Sequence, residues 1–370
     1  VITNSSSLRI SIAQQFISLL DNNYCLITIA PKDTFMVGIG VIGYGYWGPN
    51  LVRNFSQARG AQVIAVCDQR ADQRALVEKV YPSVQTYSEV REMLSNPLID
   101  AVAVATPVSS HFALAMQALQ AGKHVFVEKP FTASVEQAER LVEQAEKSQL
   151  TLMVDHTFIY TSAVRKIKDL LNSGTLGQLY YYDSVRVNLG LFQSDVNVLW
   201  DLAVHDLSIM DYLIDRSPTM VAATGMAHVP GRPENMAYLT CFFNDNLIAH
   251  FHVNWLAPVK VRQTLIGCSE KMIVFDDIEM SEKIKVYDKG IIVGQDDSAI
   301  YQRHVGYRTG DMWAPRIDNV EALKIEAEHF IECIEKRQRP LSDGHSGLRI
   351  VRILEAASRS MANHGQPIEL

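Results

Sequence analysis

The chain has 370 residues, 48% of them hydrophobic and 20% charged, with a net charge of −7 and a pI near 5.9. That length suits two domains better than one core, the balance is that of a folded globular protein, and the acidic surface lacks the basic footprint that holds nucleic-acid phosphates. No apolar run reaches the roughly 18–20 residues that cross a bilayer, and the five scattered cysteines, Cys25, Cys67, Cys241, Cys268 and Cys333, contain no C-x-x-C pair for zinc or a redox couple. The expectation is a protein of the reducing cytoplasm working on a small molecule, with no nucleic-acid, membrane or metal partner.

Residues 1–35 hold two apolar runs, Phe16–Leu20 and Leu26–Ala30, split by Asp21-Asn22-Asn23, and offer only Arg9 as a signal-peptide charge. They read as a dispensable leader ahead of Met36. From residue 36 to 155, short β-branched runs at Val37–Ile42, Val63–Cys67, Ala101–Ala105, His124–Val127 and Leu152–Val154 alternate with helical patterns near Trp47–Ala58, Arg70–Val80, Ser88–Leu94, Ser110–Ala121 and Ser134–Ser148. Continuous apolar strands without alternation are buried on both faces, which predicts an α/β, doubly wound parallel sheet of Rossmann type.

After Asp155 the rhythm changes. A helix near Thr161–Ser173 is followed by alternating strands at Gln178–Val187, Met220–His228, Ala237–Phe243, Leu247–Trp255, Gln263–Ile266 and Met272–Phe275, with a helix at Trp200–Leu213 between the first two. Turn residues at Asn244-Asp245-Asn246 and Gly267–Lys271 suggest antiparallel hairpins, and two helices near Asn319–Lys336 and Ser346–His364 close the chain. Residues 156–370 thus read as an α+β domain with an open, mostly antiparallel sheet. The uncovered face of such a sheet predicts a homo-oligomer, dimer or tetramer.

Three motifs carry chemistry. Gly43-Tyr44-Gly45-Tyr46-Trp47-Gly48 fits G-x-G-x-x-G between a strand and a helix, where glycines permit a tight turn and close approach to a pyrophosphate. Asp68 closes the next strand, placed to accept hydrogen bonds from the adenosine ribose, so NAD is the expected cofactor; Arg70 beside it leaves NADP open. Thr106 and Pro107 break the chain after Ala101–Ala105 to line the same crevice, and His111 follows in the first helical turn, where a plain surface histidine is an equal reading. Tyr46, Trp47 and Glu128 complete the expected cofactor-binding set. The second motif, Glu128-Lys129-Pro130, puts an ammonium at the end of a parallel strand, although alone it fits a solvated turn lysine better. In the third, Asp201 and His205 stand at i and i+4 of a helix, where the carboxylate can hold the imidazole or share substrate hydroxyls with it.

These motifs in this order resemble the Gfo/Idh/MocA oxidoreductases, over roughly Val37 to Leu370, most specifically along Ala121–Pro130. The resemblance implies NAD(P)-dependent hydride exchange at a hydroxyl-bearing carbon of a sugar, nucleotide-sugar or inositol-like polyol. It also implies a catalytic Lys129, Asp201 and His205, and substrate contacts at His156, Tyr160, Arg186 and Asn188. Two alternatives stay on the same fold: an NAD-dependent glycosidase working by transient oxidation and elimination, and a non-catalytic dinucleotide-sensing regulator.

Overall fold

The computed structural model describes residues 36–190, 196–293 and 305–370, so the leader expected at 1–35 lies outside the described residues. In the first half the strands are β1 (Val37–Ile42), β2 (Ala61–Cys67), β3 (Gln85–Tyr87), β4 (Ala101–Val104), β5 (His124–Glu128) and β6 (Leu152–Asp155). The helices between them are α1 (Gly48–Gln57), α2 (Ala71–Val80), α3 (Val90–Leu94), α4 (Val108–Gln120) and α5 (Val135–Ser148). All pairings are parallel and the order is β3-β2-β1-β4-β5-β6. Every residue of β1 and β4 is buried, which is why those segments carry apolar residues without alternation. The order reverses between β1 and β4, and the crevice at their carboxyl ends is where such a sheet receives its ligand.

A 3₁₀ turn at Thr157–Tyr160 and helix α6 (Ser162–Asn172) lead into the second sheet, of nine strands. Its centre is β7 (Leu179–Leu189), flanked by β10 (Ile248–Asn254) and β11 (Leu256–Cys268). Strands β8 (Met220–Met226) and β9 (Met236–Phe242) extend one side, and β12 (Met272–Asp276) and β13 (Ile284–Tyr287) the other. The sheet is mixed, because β7 and β10 run parallel while every other neighbour is antiparallel. Both expected hairpins form, β9–β10 across Asn244-Asp245-Asn246 and β11–β12 beyond Gly267, and the sheet is mostly antiparallel as expected, the parallel β7–β10 pair at its centre being the exception. Along β7 and β10 burial alternates, with Tyr182, Ser184, Phe251 and Val253 turned to the helical side and Tyr181, Asp183, His250 and His252 to the other.

Met36–Leu370 form one compact unit, and the late helix Ala322–Lys336 shows how. Its apolar stripe of Leu323, Ala327, Phe330, Ile331 and Ile334 completes the core around β1 and α1 rather than the second sheet. Phe330 stacks edge-on against Phe55 and Phe126, with ring centroids 6.2 and 5.6 Å apart. At the N-terminus of that helix Glu321 pairs with Arg53 of α1 at 2.5 Å. The final helix, Gly344–Ala362, packs with α5, α7 (Val204–Leu213) and β8 and is capped by Asp343, whose carboxylate accepts from the Ser346 N–H.

Candidate active site

The glycine-rich turn is shaped by three different requirements. Gly43 has φ +94°, and a Cβ there would sit 2.5 Å from the Ala105 carbonyl oxygen; one on Gly48 would meet the Gly43 carbonyl at 2.2 Å. These two glycines let the turn press against its own helix and against the end of β4. Gly45 is different: a Cβ there would find only the Arg70 guanidinium, at 3.8 Å, so its backbone faces open space. Helix α1 begins immediately after, with no side-chain cap and no acid in its first turn. The positive dipole end of the helix is thereby left for an anion beside the open backbone of the turn, a cradle that fits a dinucleotide pyrophosphate.

Asp68 ties this turn to the next strand. Its Oδ2 accepts from the Tyr44 N–H at 2.8 Å, and its Oδ1 accepts from the Arg70 N–H at 2.9 Å and from Arg70 Nε at 3.4 Å. Burial alone would raise its pKa, but these donors and the guanidinium charge outweigh it and hold the carboxyl below its ordinary value. Tyr46 is 90% exposed at the tip of the turn, while Trp47 turns inward and donates its indole N–H to Asp155 Oδ2 at 2.9 Å. Thr106 and Pro107 lie at the start of α4, the Thr106 hydroxyl 2.7 Å from that of Ser110.

His111 is not where the sequence reading puts it. The ring is buried, with Nδ1 2.9 Å from the Pro130 carbonyl and Nε2 2.7 Å from the Thr106 carbonyl. Burial pushes its pKa down while the two carbonyl contacts oppose that shift, and the ring, enclosed between the two turns, is not open to a cofactor.

Lys129 emerges just past β5 and reaches across to the segment before α7. Its Nζ donates to the Asp201 carbonyl at 3.3 Å and pairs with Asp201 Oδ1 at 3.6 Å. Asp201 lies in a π-helical turn, Leu199–Ala203, that widens the helix directly ahead of His205. Its Oδ2 accepts from the Trp255 indole N–H at 3.0 Å. Of the two roles that the i, i+4 spacing leaves open, the carboxylate does not take the imidazole as its partner here: it is aimed at the lysine and the tryptophan, because a π turn advances its residues through a smaller angle than an α turn.

His205 is half-buried, its ring edge-on to Phe158 at 4.9 Å. Burial, then the charges of Lys129, Arg186 and Arg262, push its pKa well below the usual imidazole value, so the ring is neutral at neutral pH. Phe158 is the hub beneath it, with the Arg186 and Arg262 guanidinium carbons 4.6 and 5.7 Å from its ring centroid. Nearby His156 is buried with neither ring nitrogen hydrogen-bonded, and burial with the Lys129 charge pushes its pKa down to about 3.

The remaining expected substrate contacts divide. Arg186 is buried and makes a two-pronged pair with Asp206 at 2.7 and 3.0 Å through Nε and Nη2, while Nη1 is buried without a hydrogen bond, so two of its three guanidinium nitrogens are spent on supporting the site. Tyr160 is fully buried, its hydroxyl 3.1 Å from Ser342 Oγ and its ring against His329, and it belongs to the core beneath the helix Ala322–Lys336. Asn188 is half-buried near the end of β7 and donates to the neighbouring Leu189 carbonyl at 3.2 Å.

Four participants escape a linear reading. Trp255, Phe158, Arg262 and Asp155 each matter through a partner far along the chain. Only Asp155 carries a signal, as an acid at the end of a fully apolar strand. Beside it Glu128, paired in register across β5 and β6, has one buried, unpartnered carboxyl oxygen, and burial followed by the Asp155 charge drives its pKa well above the carboxylate range. Glu128 thus faces Asp155 below the crevice. Among the described residues no cluster of His, Cys, Asp and Glu could hold a metal ion.

Residues 37–156 match the family model described as the oxidoreductase family, NAD-binding Rossmann fold, and residues 164–274 match the Gfo/Idh/MocA C-terminal domain. The UDP-N-acetylglucosamine 3-dehydrogenase of Acidithiobacillus ferrooxidans is 27% identical over 323 residues, which span 84% of this chain and 93% of that protein. Its solved structure superposes with a TM-score of 0.74, covering 88% of this chain and 98% of that one at 26% identity. The myo-inositol 2-dehydrogenase of Thermotoga maritima is 26% identical over 199 residues, half of this chain and 58% of that protein. The WlbA dehydrogenase of Bordetella pertussis, solved with NADH and UDP-GlcNAcA, has a TM-score of 0.76 over 90% of this chain and 98% of that one; at 17% identity this is a likeness of fold.

Proposed function

The chain belongs to the Gfo/Idh/MocA oxidoreductase family, and from that membership we propose an NAD-dependent dehydrogenase acting on a CH–OH group of a sugar, nucleotide-sugar or inositol-like polyol. The observation that carries the reading is the ion pair of Lys129 with Asp201, one turn ahead of His205. Bound NAD would supply the acceptor that takes the hydride from the carbinol carbon. The chain's own groups handle the oxygen: the Lys129 ammonium donates a hydrogen bond to it as negative charge develops, and neutral His205 takes its proton. Asp201 holds the ammonium in place from its carbonyl and carboxylate together. In the direction of reduction the imidazolium returns the proton.

Gly43, Gly45, Gly48 and Asp68 form the dinucleotide half of this scheme, with Tyr46, Trp47, Thr106 and Pro107 around them. Residues 36–155 would bind cofactor and residues 156–370 substrate, with the helix Ala322–Lys336 crossing that division. The likeness to dehydrogenases of UDP-N-acetylglucosamine and of myo-inositol supports a polyhydroxylated substrate. Free thiols at Cys67, Cys241, Cys268 and Cys333 support a reducing compartment such as the cytoplasm. No helix among the described residues is long and apolar enough to cross a membrane. Copies would associate through the outer face of β9 and β10, where Tyr238 and Ile248 are 39% and 41% exposed and Tyr238 stacks on His252.

Incubating the protein with NAD and a panel of sugars, inositols and nucleotide-sugars tests the function. Reduced-nicotinamide absorbance together with a product two hydrogens lighter is the expected result. A cleaved glycoside with no net reduced cofactor would point to elimination, and cofactor binding without turnover on any member of the panel would point to a sensor.

A further inference from the structure

Trp47 sits inside the glycine-rich turn as the N-cap residue of α1, yet its indole points away from the crevice and into a buried group of acids. Asp155, 2% exposed, receives the indole N–H on Oδ2 and the Thr157 hydroxyl on Oδ1 at 2.5 Å. Against it and the Thr157 hydroxyl, from the helix Ala322–Lys336, lies the Glu326 carboxyl, fully buried, with neither oxygen accepting a hydrogen bond. The charged and titratable groups around Glu326 are the Asp155 and Glu128 carboxyls, the phenol of Tyr160 and, through its charge on both of those carboxyls, the Lys129 ammonium.

Two facing carboxyl groups in such a place attract only if one of them carries a proton. Asp155 accepts from an indole at 2.9 Å and a hydroxyl at 2.5 Å, which favours its anionic form; Glu326 has only that same Thr157 hydroxyl near it, already given to Asp155, and neither of its oxygens accepts a hydrogen bond, so the proton belongs there. Burial and the Asp155 charge push the Glu326 pKa well above the carboxylate range, in agreement with that assignment. We infer that Glu326 is a positioning residue for the dinucleotide: held as the neutral acid, it donates a hydrogen bond to Asp155, which in turn anchors the indole of Trp47 and so sets the glycine-rich turn. The chain of contacts runs from a helix late in the sequence to the cradle for the pyrophosphate. The inference rests on the reading of that turn as the dinucleotide site.

The test uses the full chain with isotope-labelled tryptophan, whose four indole N–H resonances are sorted by a Trp47→Phe variant. Glu326→Gln keeps a donor but cannot ionise, whereas Glu326→Ala removes the donor. The difference infrared spectrum of wild type minus Glu326→Gln at neutral pH should show the carbonyl stretch of a neutral carboxylic acid. NAD binding should weaken by about tenfold or more in Glu326→Ala, the scale of one lost hydrogen bond to a charged acceptor, and be largely rescued in Glu326→Gln, with the Trp47 resonance displaced only in the alanine variant. If Glu326→Ala does not fold, Trp47→Phe reads the same link and should weaken NAD binding to a similar extent. Absence of the acid band, or a glutamine variant as weak as the alanine one, overturns the inference. Failure of the wild type to bind NAD would instead overturn the dinucleotide reading, a result set apart by the infrared band, which needs no cofactor.

Discussion

Replacing Arg186 by methionine should destabilise the protein by about 3–5 kcal/mol, because removing one member of a buried ion pair strands the other. The structure gives the reason in its geometry. The two Arg186–Asp206 contacts are 2.7 and 3.0 Å, and the side chains are only 4% and 5% exposed, so the Asp206 carboxylate would be left in the core without its cation. With a urea dependence of about 3 kcal/mol per molar, the upper end for such chains, the unfolding midpoint should fall by about 1 M or more. The double variant Arg186→Met/Asp206→Leu should recover most of that loss, since a buried pair can be exchanged for apolar side chains at little net cost. Equilibrium urea unfolding and steady-state kinetics on the same samples decide the matter. A midpoint unchanged from wild type, with KM raised, would mean that Arg186 spends its charge on substrate and that the supporting role is wrong.

Lys129→Met and His205→Asn should each cut single-turnover hydride transfer by about 10²-fold or more while leaving NAD affinity nearly intact, the usual contribution of a positioned acid–base group; either variant at the wild-type rate leaves the catalytic set. NAD should outperform NADP in initial rates, since Asp68 meets a 2′-phosphate with like charge, and the opposite preference would show Arg70 in control. His156 stays neutral in the folded protein down to about pH 3, whereas the unfolded chain protonates it below about 6.5. Its depressed pKa therefore contributes stability that is complete above 6.5 and is lost as pH falls toward 3, by about 1.4 kcal/mol per unit. The acid limb of a urea-midpoint profile should accordingly be flatter in His156→Leu, and an identical limb would refute the assignment.

What could be read from the chain depended on how local the cause was. The parallel sheet was legible because β1 and β4 are apolar at every position, and the glycine-rich turn because its demands fall on neighbouring residues. The parallel pairing of β7 with β10 was not, since nothing in either strand says which distant segment lies beside it. Nor was the length of β11, whose stretch Leu256–Arg262 carries Pro258 and Lys260 and looks like a loop until it is seen beyond the central pairing. Tyr160 follows the last Rossmann strand closely, yet its hydroxyl bonds to Ser342, 182 residues away. The π turn hid the real partner of Asp201, as an i, i+4 count assumes α-helical spacing. Glu326 did leave a trace: an acid three residues after Leu323 and four before Phe330, on the apolar stripe of its helix, where only a partnered or neutral carboxyl belongs.

The helix Ala322–Lys336 also has a meaning for synthesis. A polypeptide leaves the ribosome from its N-terminus, and domains ordinarily close as they emerge. Here β1, α1 and β5 are translated long before the segment that covers Phe55 and Phe126. The nucleotide-binding sheet is made before the helix that covers Phe55 and Phe126, so its core closes only once residues 322–336 have emerged.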